Sequence, residues 1–422
     1  MVTNSRSSSR TRRKTTDTTT STEWWNQRGM KLSPTIPLTL ILAGCIRITL
    51  SLFLTSTMVP IIQPTLLNKM FFVVLDILFL LFVVHVDGWV YDTRIFALDN
   101  LLCLLVHTQL STFPWNDWLI NEKPTAPRMQ NQLATFRSRS NMISNMSFAV
   151  VTHEDTGWLT LKTINVGNCN IFVLRPKDVD KKTVLPCLLY MHGGGHVIGT
   201  AKSVVDRFSK YQLNCPWWVS RDRDFVIISV EYRLAPEHPF PAAADDCTDA
   251  FDYVYNNAKR LSIDQNKIIL MGISAGGNLA AVVAHHAESR CKATVLLIPE
   301  VKRNTTLDMS FMLNGRVPSL PFEMILWFRK LYCEDAEEAK DPKCSPISYS
   351  NDHFKRLSPM IVATCSADIL RDAGIEYADK AAKNLVSVDR LMFRGSHSFG
   401  LWCDTDSQRE LWAKVETLIF ED

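Results

Sequence analysis

The stretch "LMGISAGGNLAA" sets one serine, Ser274, between Gly272 and Gly276. An apolar run precedes it, and small residues with Leu at helical spacing follow. Tiny neighbours are what a serine needs when it stands on a sharp strand-to-helix turn, where the backbone folds against itself. A serine hydroxyl is a weak nucleophile at neutral pH, so chemistry at Ser274 calls for a base, an acid to orient that base, and donors for a developing oxyanion. The chain offers each. Upstream, "YMHGGGHVIG" places His192, Gly193, Gly194 and Gly195 directly after a strand-like run, and glycines let backbone amides approach a substrate oxygen closely. Gly193 and Gly194 are the expected oxyanion donors, together with the amide of Ala275 at the positive end of the following helix. Downstream, "PMIVATCSADILRDAG" brings Asp368 to the end of an apolar run, and "RLMFRGSHSFG" does the same for His397. The order serine, aspartate, histidine reads as acyl transfer: Ser274 attacks, His397 serves as base and then acid, and Asp368 orients the imidazole.

The remaining acids and histidines are weighed against that set. Asp372 rivals Asp368, but it lies four residues further on, inside the next helical pattern, where local capping or a surface charge is its expected role. His353 precedes a strand and His285 and His286 ride a helix, so all three are expected to be solvated. His192 is expected to shape its own loop by hydrogen bonding, His196 to line the mouth of the site, and His238 to be structural.

Residues so far apart can meet only if the elements between them converge. From about Asn145 onward, apolar runs of strand length alternate with helical ones, which predicts alternating β and α units and a largely parallel sheet. The strands are "WLTLKTINV", "NIFVLRP", "LPCLLYMH", "DFVIISVEY", "KIILMGI", "KATVLLIPE", "PMIVATC" and "VDRLMF". Several are apolar throughout, as strands covered on both faces must be. Helices are predicted over Ala242 to Ala258, Gly277 to Ser289 and Ala373 to Leu385. Loops that follow successive parallel strands share one edge of the sheet. Residues 301–340 interrupt the alternation with a bulky, partly helical insert that reads as a roof.

Ahead of this region the pattern is different. Residues 1–34 form a basic, Ser- and Thr-rich tail with too little apolar surface to fold. Within 35–90, Thr35 to Ile62 is long enough to cross a bilayer and Met70 to Val86 nearly so, which predicts one or two membrane helices and the lipid bilayer as a partner. Residues 91–144 read as linker or cap region, and 145–422 as the catalytic domain. The formal net charge is only +3, which gives no reason to expect a nucleic-acid partner. The eleven cysteines are scattered without a Cys-x-x-Cys pair and no His-Glu-x-x-His occurs, so neither a metal nor a cofactor is expected.

Taken together, "HGGG", "VEYRLAPEHPFPAAADDC", "GISAGGNLA", "SADILRDAG" and "SHSF" resemble the hormone-sensitive-lipase-like carboxylesterase family, in particular its membrane-anchored arylacetamide deacetylase and sterol-acetate hydrolase relatives, over roughly residues 150 to 420. The resemblance implies an α/β-hydrolase fold: a mostly parallel eight-stranded sheet flanked by helices, with a helical cap insert, preceded by membrane helices. It implies Ser274, His397 and Asp368 as the triad, Gly193, Gly194 and Ala275 as oxyanion donors, and supporting roles for Glu231, Tyr232 and Arg233. It implies hydrolysis of hydrophobic short- or medium-chain esters through an acyl-enzyme. An inactive, receptor-like ligand-binding homologue, or an amidase or dehydratase on the same site, are the alternatives. Two positions depart from the family pattern: Ile273 stands where an acid is common, and Ser398 where glycine is. A basic N-terminus, the sequons at Asn145 and Asn304, and the resemblance together favour a catalytic domain in the endoplasmic reticulum lumen if one span is used, and in the cytosol if two are.

Overall fold

The computed structural model describes residues 133–134, 136–138, 159–202, 224–303, 308–315, 320–333, 335, 337–393, 395–397 and 405–420. The expected tail, the membrane spans, both sequons, Ser398 and most of the linker lie outside these residues. Among the described residues no helix is long and apolar enough to cross a membrane.

All eight expected strands form, and they join one sheet. They are β1 (Leu159–Val166), β2 (Cys169–Pro176), β3 (Leu185–Met191), β4 (Val226–Glu231), β5 (Ile263–Ile273), β6 (Ala293–Leu297), β7 (Met360–Cys365) and β8 (Val388–Phe393), in the spatial order β1-β2-β4-β3-β5-β6-β7-β8. The β1 and β2 hairpin is antiparallel and β2 pairs antiparallel with β4, whereas β4, β3, β5, β6, β7 and β8 run parallel. Register aligns the carboxyl ends of the parallel strands: Met191 sits opposite Gly272, Ile273 opposite Leu297, and Cys365 opposite Phe393. The residues that follow those strands therefore emerge at one edge, as ligand-binding loops of open α/β sheets do.

Among the described residues the helices of six residues or more are α1 (Ala242–Asn256), α2 (Ala275–Ala287), α3 (Met309–Asn314), α4 (Phe322–Tyr332), α5 (Arg371–Lys383) and α6 (Thr405–Phe420). Successive strand residues point to opposite faces, and two cores result. Cys187, Leu189, Met191, Ile268 and Leu270 share one with residues of α1, α2 and α5. Leu188, Tyr190, Ile269 and Met271 share the other with Leu411, Trp412, Val415 and Ile419 of α6. This double cover is why the central strands lack polar alternation. The insert within 301–340 forms α3 and α4, with Trp327, Phe328, Leu331 and Tyr332 buried.

The linker reading is refined by its helical residues 133–134 and 136–138. Leu133 and Phe136 are buried, and the Phe136 ring meets Trp327 edge-on at 5.3 Å and Phe328 at 6.4 Å. Arg137 donates to the carbonyls of Val197 and Ala235 at 2.8 Å each, and grips Glu237 with two bonds at 2.7 and 2.9 Å. Although burial opposes it, that grip holds the Glu237 carboxyl below its usual range.

Candidate active site

Ser274 joins β5 to α2 with φ 56° and ψ −118°. A residue with a side chain adopts such a backbone at a cost of roughly 1–3 kcal/mol, and only where its surroundings enforce it. Here its amide donates to the Leu297 carbonyl at 2.9 Å, and its own carbonyl accepts the amides of Asn278 at 3.1 Å and Glu300 at 3.2 Å. The flanking glycines are required by close approach. A Cβ on Gly272 would overlap the Gly276 carbonyl, and a Cβ on Gly276 would overlap the carbonyls of Met191 and His192.

The three sequence-predicted triad residues meet. The Ser274 hydroxyl donates to His397 Nε2 at 2.8 Å. His397 Nδ1 lies 3.0 Å from each carboxylate oxygen of Asp368. A carboxylate only accepts, so Nδ1 carries the proton and Nε2 turns its lone pair to the serine. The Asp368 side chain is fully buried, its Oδ1 accepts the Leu370 amide at 2.9 Å, and its carbonyl accepts Asn314 Nδ2 of α3 at 3.0 Å. Asp372 lies elsewhere, in the first turn of α5. Its Oδ2 accepts the Ser310 amide at 2.7 Å and its amide donates to Ser310 Oγ at 3.1 Å, a reciprocal cap that ties α3 to α5.

Gly193 lies against the nucleophile: a Cβ placed on it would stand 2.9 Å from the Ile273 carbonyl and 3.4 Å from Ser274 Cβ. Ile273 thus faces Gly193 with backbone and Cγ2, where an acidic side chain would have brought a charge. Gly194 has φ 125°, a conformation only glycine adopts readily, and its carbonyl accepts the amides of Val197 and Ile198. Among the described residues no carbonyl takes the amides of Gly193, Gly194 or Ala275, which leaves them available to an oxyanion. Tyr232 has a single hydroxyl proton, given to the His192 carbonyl at 2.7 Å. His192 Nδ1 then carries a single proton that is shared between the Gly193 carbonyl at 2.9 Å and the Tyr232 oxygen at 3.1 Å, and the two rings stack at 4.1 Å. Glu231 accepts the Thr200 hydroxyl and the Ala201 amide, while Arg233 is paired with buried Asp246 at 2.8 Å. Tyr232 therefore braces the glycine loop, Glu231 the turn at residues 200–201 and Arg233 the first turns of α1.

Two histidines differ from expectation. His196 does not line an open mouth. It is fully buried, stacked on Tyr332 at 3.9 Å, with Nδ1 3.3 Å from Arg303 Nη2. Burial, reinforced by the Arg303 charge, pushes it down to about 3, so the ring is neutral. His285 is not solvated either. It stacks on Tyr349 at 3.9 Å and meets the Tyr377 hydroxyl at 3.0 Å, and burial, with the charges of His353 and Lys380, brings it to about 3. The reason is that α2 is buried on nearly every side, so a polar residue on it does not mark a solvent face. His286 and His353 are exposed as expected.

Sequence reasoning missed a buried ionic cluster behind Ser274. The Glu300 carboxylate lies 2.9 Å from Arg329 Nε of α4 and 3.5 Å from Arg303 Nη1. Burial would raise its pKa, but the two arginines outweigh that and hold it at about 2. The signal was present in "LLIPEVKR": a charged run placed directly after a buried strand, at the sheet edge that carries the triad.

Residues 188–400, which contain the glycine loop, Ser274, Asp368 and His397, match the family model described as alpha/beta hydrolase fold. The chain belongs to the α/β-hydrolase family. Within that family it falls among carboxylesterase-type members. It is 33% identical over 222 residues to an AB hydrolase superfamily protein of Schizosaccharomyces pombe, a match covering 50% of this chain and 62%, less than two thirds, of that protein. An ethyl acetate hydrolase of Pseudomonas putida is 29% identical over 246 residues, 57% of this chain and 74% of the relative. Among solved structures, the hyperthermophilic esterase from Pyrobaculum calidifontis superposes with a TM-score of 0.60 at 29% identity, over 75% of this chain and 96% of its own.

Proposed function

We propose that this α/β hydrolase cleaves hydrophobic short- or medium-chain carboxylic esters through an acyl-enzyme on Ser274. The observation that carries the reading is the pair of contacts joining Ser274 Oγ to His397 Nε2 at 2.8 Å and His397 Nδ1 to Asp368 at 3.0 Å. Ser274 Oγ attacks the ester carbonyl while His397 takes its proton, and Asp368 stabilises the imidazolium that forms. The carbonyl electrons move onto oxygen, which the amides of Gly193, Gly194 and Ala275 receive. His397 then returns the proton to the departing alcohol. Water, activated by the same histidine, releases the acid and restores the serine. Each oxyanion donor is worth about a hundred- to a thousand-fold in rate.

The apolar cap supports a hydrophobic substrate. Phe328 occupies the space that a side chain on Gly195 would need, and Met309, Met312, Leu313 and Phe322 stand exposed on α3 and at the start of α4. Incubation with a fluorophosphonate probe, followed by a p-nitrophenyl ester series of increasing acyl length, tests the reading. Labelling at Ser274, lost in Ser274→Ala, with turnover best on short or medium chains is expected. Folded protein that stays unlabelled at Ser274 ends it.

The apolar segments Thr35 to Ile62 and Met70 to Val86 support attachment to a membrane, and the sequons support an endoplasmic reticulum lumenal catalytic domain. Sensitivity of the expressed protein to endoglycosidase is expected. An unglycosylated, protease-accessible product in intact microsomes reverses the orientation.

A further inference from the structure

Glu300 faces in two directions. Its backbone amide is one of two that hold the Ser274 carbonyl, and its own carbonyl accepts Asn278 Nδ2 at 2.8 Å. Its buried carboxylate is fastened to the cap by Arg329 Nε at 2.9 Å. Arg329 also donates to the Lys302 carbonyl at 3.2 Å, and its guanidinium lies over the Phe311 ring of α3 at 5.4 Å. The second arginine extends the linkage to the glycine loop. Arg303 stands 4.9 Å over the ring of Tyr332, the last residue of α4, meets His196 Nδ1, and reaches the Cys344 carbonyl at 3.4 Å. His196 is the residue directly after Gly195. A single buried carboxylate thus joins the elbow, the loop of the oxyanion donors and the cap helix.

We propose that Glu300 is a positioning residue that carries the seating of α4 to the nucleophile, a role that rests on the acyl-transfer reading of Ser274. The elbow holds an unfavourable backbone conformation, so the groups gripping its carbonyl decide whether Oγ stays in line with His397. Misplacement by about 1 Å costs on the order of a hundredfold in rate. Anchoring by Arg329 keeps the 300 amide in place beneath α4, whose Phe328 packs against Gly195. The ion pair does not switch across working pH, because the carboxylate stays charged above about 2. The coupling is mechanical.

Arg329→Met keeps an unbranched apolar side chain and removes the bonds to Glu300 and to the Lys302 carbonyl, while Arg329→Lys retains a positive charge that can donate to Glu300. For Arg329→Met a fall in kcat of about ten- to a hundredfold is expected, with KM within about twofold, and the saturating rate of fluorophosphonate labelling falls by the same factor. Arg329→Lys recovers most of both. A thermal melt accompanies each variant, since a merely structural role moves the melting temperature and leaves the saturating labelling rate alone. If Arg329→Met does not fold, Arg329→Gln, which likewise leaves Glu300 paired with Arg303 but puts a polar group in the buried position, replaces it with the same direction expected. A folded variant whose kcat matches the parent, or whose loss lies wholly in KM, overturns the coupling alone. A parent protein that is never labelled overturns the coupling and the ester reading together.

Discussion

The elbow at Ser274 and the cap formed by α3 and α4 press on the same few ångströms of space, yet they are held by different physics. At the elbow, backbone meets backbone: Gly272 against Gly276, and Gly276 against the carbonyls of Met191 and His192. No side chain can be inserted or repacked there. The cap is joined to its neighbours by side chains, through Asn314 on the Asp368 carbonyl, Ser310 with Asp372, and Arg329 with Glu300. Those bonds can be exchanged for others at modest cost, about 0.5–3 kcal/mol each. The contrast places the invariable part of the chemistry in steric closure and leaves substrate range and stability to the adjustable contacts above it.

Substitutions on either side should divide accordingly. Asp368→Asn leaves the elbow's shape intact but deprives His397 of its orienting carboxylate, and a fall in kcat of about 10³–10⁴-fold is expected in steady-state assays. Retention of a tenth of the activity would assign the orienting role to another acid. Gly276→Ala tests closure directly. It should cost at least about a hundredfold in kcat, measured on protein whose circular dichroism is unchanged, and near-parental rates would mean that the elbow has slack.

Acid stability bears on the buried side chains of both regions. His196 beneath the cap and His285 in the core each have a folded pKa depressed from 6.5 to about 3. Between those values only the unfolded chain binds their protons, so their contribution is complete above about pH 6.5 and is lost as pH falls toward 3. Each contributes a slope of about 1.4 kcal/mol per pH unit well inside that window. Denaturant titrations from pH 6.5 to 4 should show it, and His285→Gln should remove about half of the slope without changing kcat. A flat profile would contradict the buried, neutral state of both rings. The smallest effect is expected from Arg137→Ala. It breaks a partly exposed pair with Glu237 and two bonds to carbonyls, for a loss of about 1–3 kcal/mol and a melting temperature lower by several degrees. A loss of kcat larger than the loss of stability would move Arg137 from brace to participant.

Much of the sheet and the meeting of the triad could be read beforehand, because both are written in local spacing. Several of the expected strands are apolar runs of strand length, and Ser274, Asp368 and His397 each come shortly after a strand. The Glu300, Arg303 and Arg329 cluster could not be read so easily. An ion pair joins residues 29 apart in sequence without any periodicity to announce it. The histidines misled for a related reason. Polarity signals solvent only when the helix has a wet face, and α2 has almost none, so His285 is enclosed by Tyr349, Phe354 and Tyr377. The role of Arg137 was hidden by distance as well, with its carboxylate partner 100 residues downstream.

The contacts of Phe136 and Arg137 bear on where this chain can safely be shortened. A fragment begun at the first strand, or at the start of the family match at residue 188, would strip an aromatic wedge from Trp327 and Phe328 and release the two loops that carry Val197 and Ala235. Such a fragment would present fresh oily surface to water beside its own catalytic loop, inviting precipitation. A soluble version is better begun ahead of Leu133.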